Sequence, residues 1–180
     1  MGRHAGVEVL SASWPQAESL TTPRLELEPL RVEHAKEMAS VLADPALHDF
    51  IGGAPSSEEQ LSARYARQAA GQSPDGREGW LNWVVRDRAT RDAVGTLQAT
   101  ISDTEQGRSA ELAWVIATSR QGQGLATEAA IAARDWLRER GAAVFTAHVH
   151  PDHAASPGVA RRLGLEAPDR RRDGEVLWVG

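Results

Sequence analysis

Glu111-Leu112-Ala113-Trp114-Val115-Ile116, then Arg120-Gln121-Gly122-Gln123-Gly124-Leu125-Ala126-Thr127, then an alanine-rich amphipathic run to Arg140, is the stretch that decides the fold of this chain. An apolar strand, a glycine-punctuated turn and a helix N-terminus follow one another directly. Such a succession makes an anion site, because unpaired backbone N–H groups and the helix dipole converge on one point. Gly122 and Gly124 allow the backbone to approach phosphate closely, and the small Ala126 keeps the first helical turn open. The alternative is an ordinary strand–helix connection whose glycines serve geometry alone.

The flanks set that turn in a sheet. Trp80 to Arg86 and Ala93 to Ser102 read as two strands joined by a turn from Asp87 to Asp92, and Ser109 to Ala117 as a third strand. After the helix, with Gly141 as its C-cap candidate, Ala142 to Val149 reads as a strand and Ala154 to Leu163 as a short helix ended by Gly164. Arg170, Arg171 and Arg172 read as a solvated turn, and Glu175 to Val179 as the final strand. Upstream, Leu25 and Leu27 alternate with Arg24, Glu26 and Glu28 as in a half-buried strand, and Val32 to Leu42 is helical until Asp44-Pro45 stops it. Residues 46–56 read as a turn-rich loop, and Ser56 or Ser57 with Glu59 or Gln60 resembles a capping box opening a helix to about Ala70. Gly71 to Gly79 reads as a polar loop. Hairpin strands followed by strand–helix–strand predict an α/β (α+β) fold around one mixed sheet.

Composition bounds the rest. With 180 residues, 41% hydrophobic and 25% charged, the chain fits one globular domain, expected over 21–180 after a flexible or loosely docked leader at 1–20. A net charge of −5 argues against general nucleic-acid binding. The absence of cysteine removes thiolate metal sites and cysteine nucleophiles, and the histidines have no metal-ligand spacing, so no metal is expected. No apolar run reaches membrane-spanning length and Met1 to Leu20 has no signal-peptide core, so no membrane partner and a cytoplasmic location are expected.

Two nucleotide motifs fail at the glycine turn. A P-loop needs Lys after its last glycine, where Leu125 stands. A dinucleotide fingerprint needs Gly or Ala where Thr127 stands, and an acidic residue at the end of the next strand, where His148 and His150 stand. Gln121, Gly124 and Ala126 instead match the pattern Gln/Arg-x-x-Gly-x-Gly/Ala of the GNAT acyltransferase superfamily. Thr22-Pro23-Arg24-Leu25-Glu26-Leu27-Glu28-Pro29-Leu30 resembles the opening strand of its RimJ/RimL-type branch, and Ala110 to Ile116 that branch's fourth strand. Ser156 with Val159-Ala160-Arg161-Arg162-Leu163-Gly164-Leu165 resembles its late helix.

The resemblance implies a mostly antiparallel twisted sheet, splayed between its fourth and fifth strands, with helices on both faces. It implies acetyl-CoA as donor and direct transfer to a small-molecule or peptide primary amine in a ternary complex. Gln121, Gly122, Gln123, Gly124, Leu125, Ala126 and Thr127 would hold the pyrophosphate, and Trp114, Val115 and Ile116 the pantetheine arm, with a backbone N–H of Val115 or Ile116 facing the oxyanion. Ser156 would protonate the leaving thiolate, with His153 where the family carries asparagine. The chain's one tyrosine, Tyr65, lies far from that position in sequence. For the base, Glu111 and His150 are candidates, with His148 and a water chain as alternatives. His48 and Phe50 lie in the loop that shapes acceptor pockets in this family, and one of Trp80 and Trp83 would face the acceptor groove. Another acyl donor, or a CoA-sensing module without turnover, would use the same fold, and homodimers are common in the branch.

Overall fold

Leu25 and Leu27 are buried while Glu26 and Glu28 are only partly so, and this alternation, set by the two-residue period of a strand, recurs across the sheet. The computed structural model describes residues 14–168 and 171–180. Its strands are β1 (Leu20–Thr21), β2 (Leu25–Pro29), β3 (Glu78–Asp87), β4 (Ala93–Thr104), β5 (Gly107–Ile116), β6 (Ala142–Val149), β7 (Arg171–Arg172) and β8 (Glu175–Val179). They form one sheet in the order β1-β2-β3-β4-β5-β6-β8-β7. Among the described strands only the β5–β6 pair is parallel. A parallel pair needs a crossover, here α4 (Leu125–Glu139).

Helices cover both faces. Ala129, Ala130 and Ala133 of α4, with Trp136 and Leu137, share a core with Trp83, Leu97, Ile101, Leu112 and Phe145. On the other face, α1 (Ala35–Val41) and α3 (Glu58–Gln68) set Ala35, Met38, Leu61 and Tyr65 against Val84 and Ala93. The capping box of α3 uses Ser57 and Gln60: Ser57 Oγ accepts from Gln60 N–H at 3.2 Å, and Gln60 Oε1 accepts from Ser57 N–H at 2.9 Å. A last helix, α5 (Ser156–Arg162), precedes the C-terminal hairpin.

Two local expectations are corrected. Within the expected loop over 46–56 lies a helix, α2 (Pro45–Ile51). Asp44-Pro45 starts a helix as well as ending one: the Asp44 carboxylate accepts from Ala46 N–H at 2.9 Å, and proline suits the first helical position. Arg171 and Arg172 form a strand pairing with Val176 and Glu175, while Arg170 lies outside the described residues. Of the segment expected as a leader, 1–13 lie outside the described residues and 14–20 pack on the domain. Trp14 Nε1 donates to Gly76 O at 3.0 Å, and the Trp14 side chain sits so close to Gly79 that a Cβ there would meet it at 2.8 Å.

The feature that positions the site is where β5 loses β6. Pairing of β5 with β4 runs from Gly107↔Thr104 to Ile116↔Gly95, but the parallel ladder with β6 ends at Glu111↔Thr146. From Leu112 onward the strands diverge, as the resemblance implies. Gly95 helps to hold β5 on β4: a Cβ there would lie 2.1 Å from Val115 O, so only glycine permits the approach.

A clasp ties the N-terminal strands to α4. Glu128, in the helix's first turn, accepts from Thr22 Oγ1 at 2.6 Å, Arg24 N at 2.9 Å and Arg24 Nε at 2.7 Å. Burial raises the Glu128 pKa, but these donors outweigh it and hold the carboxyl below its ordinary value. A depressed carboxyl pKa stabilises the fold above the unfolded-state value, and that contribution fades as pH falls through the folded-state value. Glu128→Gln should therefore cost about 1–3 kcal/mol at neutral pH. Thermal melts of the two proteins should begin to converge as pH falls below the unfolded-state value of about 4.3, and meet only below the lower folded-state value.

Candidate active site

Beyond Glu111↔Thr146 the divergence opens a cavity of about 730 Å³, the size of a small-molecule site. Trp114, Val115 and Ile116 form its floor, the glycine turn and start of α4 one end, and His153 and Ser156 a side wall. Leu47 and Phe50 of α2 lie over it. Hydrogen bonds from the Thr118 side chain and then Ala46 N–H hold the Asp44 carboxyl below its ordinary pKa, so α2 is fastened to the turn that follows β5.

The turn is built for an anion. Gly122 and Gly124 have φ of 74° and 76°, values L-residues rarely adopt. Among the described residues, none of the backbone N–H groups from Gly122 to Thr127 has a protein acceptor. Gln121 Nε2 donates to Ile116 O at 2.9 Å and Arg24 Nη1 to Gln123 O at 2.9 Å, fixing the turn from both sides. Glu128, a carboxylate that would repel an anion here, is engaged by Thr22 and Arg24. Arg120 and Arg162 also line the cavity. Arg120 is ion-paired with Asp87, whose carboxyl it holds below the ordinary range. Sequence reasoning did not select either arginine, although Arg120 adjoins the glycine turn.

At the other end, Trp114 Nε1 donates to Ser156 Oγ at 3.3 Å. Ser156 is the first residue of α5, not its N-cap, and its hydroxyl proton remains available to the cavity it lines. His153 Nδ1 accepts from Ser156 N–H at 3.1 Å, so the His153 side chain secures the turn into α5. Phe50 meets the His153 ring edge-on at 4.6 Å between centroids.

Glu111 points away from this cavity. It leaves β5 on the face opposite Trp114, by alternation, and lines a second cavity of about 240 Å³ with His148, Asp173 and Glu175. His148 Nδ1 lies 3.2 Å from Glu111 Oε1. The structure thus joins Glu111 to His148, and leaves His150 outside the lining of both cavities. His150 Nδ1 accepts from Asp152 N–H at 3.2 Å, just past the end of β6.

The acceptor candidates also separate. Phe50 lines the large cavity; His48 is turned to the carbonyls of Gly52 and Leu42, at 3.3 Å each. Trp83 is core: it is fully buried, donates to Glu18 O at 2.8 Å and stacks edge-on with Trp136. Trp80 is half-buried and donates to Glu78 Oε2 at 3.1 Å. Tyr65 is buried on α3 with its phenol pushed up to about 12 by burial, unsuited to proton transfer. Among the described residues there is no cluster of three metal-ligating side chains and no helix long and apolar enough to cross a membrane.

A family model described as an acetyltransferase (GNAT) domain matches residues 24–166. No curated protein sequence matches the chain. The solved structure of RimL, a ribosomal-protein α-N-acetyltransferase in complex with coenzyme A, is 18% identical and superposes with a TM-score of 0.73 over 91% of this chain and 97% of that one. A GNAT-family acetyltransferase from Bacillus anthracis is 15% identical, with a TM-score of 0.71 over 91% of this chain and 98% of that one. The microcin self-immunity acetyltransferase MccE, in complex with acetyl-CoA and AMP, is 12% identical, with a TM-score of 0.71 over 88% and 93%. At such identities the likeness is one of fold.

Gly122 offers a test of the turn, since a Cβ there meets nothing within 4 Å while its φ of +74° is strained for an L-residue. Gly122→Val should cost about 1–2 kcal/mol in stability. If the backbone relaxes, its N–H turns away, and coenzyme A affinity measured by calorimetry should fall about tenfold or more.

Proposed function

The chain belongs to the GNAT acetyltransferase family, and we propose that it moves an acetyl group from acetyl-CoA directly onto a primary amine, a small molecule or a peptide, in a ternary complex. One observation carries this reading. The row of unpartnered N–H groups from Gly122 to Thr127 opens into the same cavity as the unpaired edge of β5 and Ser156. A pyrophosphate, an amide-bearing arm and a thioester find matching partners there in that order.

Acyl transfer requires a held donor, a neutral amine, a stabilised oxyanion and a protonated leaving thiolate. The turn holds the pyrophosphate through its N–H groups and the α4 dipole, with Arg162 adding positive charge, while Arg120 is ion-paired with Asp87. The pantetheine amides pair with the edge that β6 has vacated, as an added strand would. Ala117 N–H bonds to Val94 O on β4 at 2.9 Å, so alternation turns the Ile116 N–H toward the cleft. That favours Ile116 over Val115 as oxyanion donor. The neutral amine attacks the carbonyl carbon, the C–S bond breaks, and Ser156 Oγ–H, kept free because Trp114 donates to that oxygen, gives its proton to the thiolate and regains one from the nitrogen, so that the sum is amide and free thiol.

Calorimetry with acetyl-CoA, followed by thiol release across a panel of primary amines, tests the reading. Donor binding and turnover of at least one amine are expected. Ser156→Ala should lower kcat about a hundredfold with donor affinity unchanged. His150→Ala should stay within about threefold of the parent. A chain that binds no donor, or binds it and turns over no amine, would remove the proposal.

A further inference from the structure

We propose that Phe50 and Ile51 of α2 form a pocket for the acceptor, and that the amine this protein modifies carries an apolar side group next to its nitrogen; this rests on the acetyltransferase reading above. Three observations converge on these two side chains.

The first is that the apolar stripe of α2 plays no part in the core. Leu47, Phe50 and Ile51 stand at i, i+3 and i+4, the spacing by which a helix buries one face. None of the three belongs to either of the two hydrophobic cores. All three line the large cavity instead, and Ile51 is left 49% exposed. His48, off the stripe, fixes that direction through its contacts with the carbonyls of Gly52 and Leu42. An apolar stripe that the fold does not need, held facing a cavity, gains its burial from a ligand.

The second is the end of the donor that these side chains meet. Phe50 lies edge-on to His153, and His153 accepts from the N–H of Ser156, the residue placed at the leaving thiolate. At the other end of α2, Asp44 is bonded to Thr118, beside the glycine turn. The helix therefore runs along the cavity from the pyrophosphate end to the thiol end. Leu47 lies one turn back, toward the pyrophosphate, while Phe50 and Ile51 stand at the thiol end. An acetyl group offers one methyl there, too little to cover a phenyl ring and an isoleucine together. What covers them is the group attached to the attacking nitrogen. That side also suits an acceptor, because α2 continues from α1, which packs on the sheet face opposite α4.

The third is charge. Among the described residues, the carboxylate and guanidinium groups lining this cavity are those of Asp152, Arg120 and Arg162. A polyamine or an aminoglycoside would bring several ammonium groups to a single carboxylate, with guanidinium groups nearby. One amine flanked by hydrocarbon matches the lining, and a polycation does not.

Amines of similar basicity and graded side group test this with acetyl-CoA as donor. In the unmodified protein, kcat/KM for leucinamide and phenylalaninamide should exceed that for glycinamide and serinamide about tenfold or more. Spermidine should rank with the weaker pair. Peptides beginning with Leu or Gly, run beside isoamylamine and ethylamine, distinguish a peptide acceptor from a free amine: the apolar preference holds in both sets, and the faster set names the source. Ile51→Ser should lower the leucinamide-to-glycinamide ratio about tenfold, and Ile51→Leu should keep that ratio within about twofold. A ratio is insensitive to any loss of folded protein. The preference among acetyl-, butyryl- and hexanoyl-CoA, with one fixed amine, should not move in Ile51→Ser. A flat amine series in the unmodified protein overturns the proposal, as does an Ile51→Ser variant that shifts acyl-chain preference in place of amine preference. So does a variant that changes its mass in solution and keeps the amine ratio, the mark of a contact between copies. Failure of the unmodified protein to bind donor, or to acetylate any amine, removes the acetyltransferase reading itself, a distinguishable result.

Discussion

Everything in this molecule hangs on the end of one hydrogen-bonded ladder, at Glu111↔Thr146. Up to that pair, β6 satisfies the edge of β5. Beyond it, five residues of β5 keep β4 on one side and lose their neighbour on the other. An unpaired strand edge inside a fold is a liability unless something is meant to occupy it. Gly95, by admitting the carbonyl of Val115 closely, helps to keep β5 on β4. The gap, the floor of the cavity and the oriented N–H of Ile116 follow from that constraint.

Charge is distributed along the same division. The chain is acidic overall, at −5, yet the larger cavity is lined by Arg162, by Arg120 in its pair with Asp87, and by Asp152, while Glu111, Asp173 and Glu175 line the smaller one with His148. A polyanionic cosubstrate in the larger cavity would meet the backbone N–H groups of the turn and Arg162, a local arrangement that the net charge does not reveal. The Glu128 clasp belongs to the same pattern: an acid at a helix N-terminus normally complements the dipole, and here Thr22 and Arg24 occupy it so that the dipole faces the cavity.

The glycine turn, the strand before it and the helix after it were legible because each rests on local chemistry: positive φ, alternation and a stripe of alanines. So was the Ser57–Gln60 cap. Asp44-Pro45 was ambiguous, since the same dipeptide ends one helix and begins the next, and the missed α2 brings Leu47 and Phe50 over the cleft. The pairing of Glu111 with His148 was not legible, because it depends on the register of two strands separated by a whole helix. Sequence favoured His150 for its place at the strand's end, yet one residue past β6 the backbone turns and its imidazole caps Asp152. Trp80 and Trp83 alternate as strand neighbours must, but only packing against Trp136 and Glu18 decides which is core.

The opposed sides of β5 also bear on traffic. A donor seated in the larger cavity would leave the Glu111 face of β5 uncovered, so a second molecule could reach the splay without passing it. The end of a long chain could reach the vertex with the rest of the polymer left in solvent. On the acetyltransferase reading, such a fold would set no upper limit on the bulk of the acceptor and would discriminate at its tip.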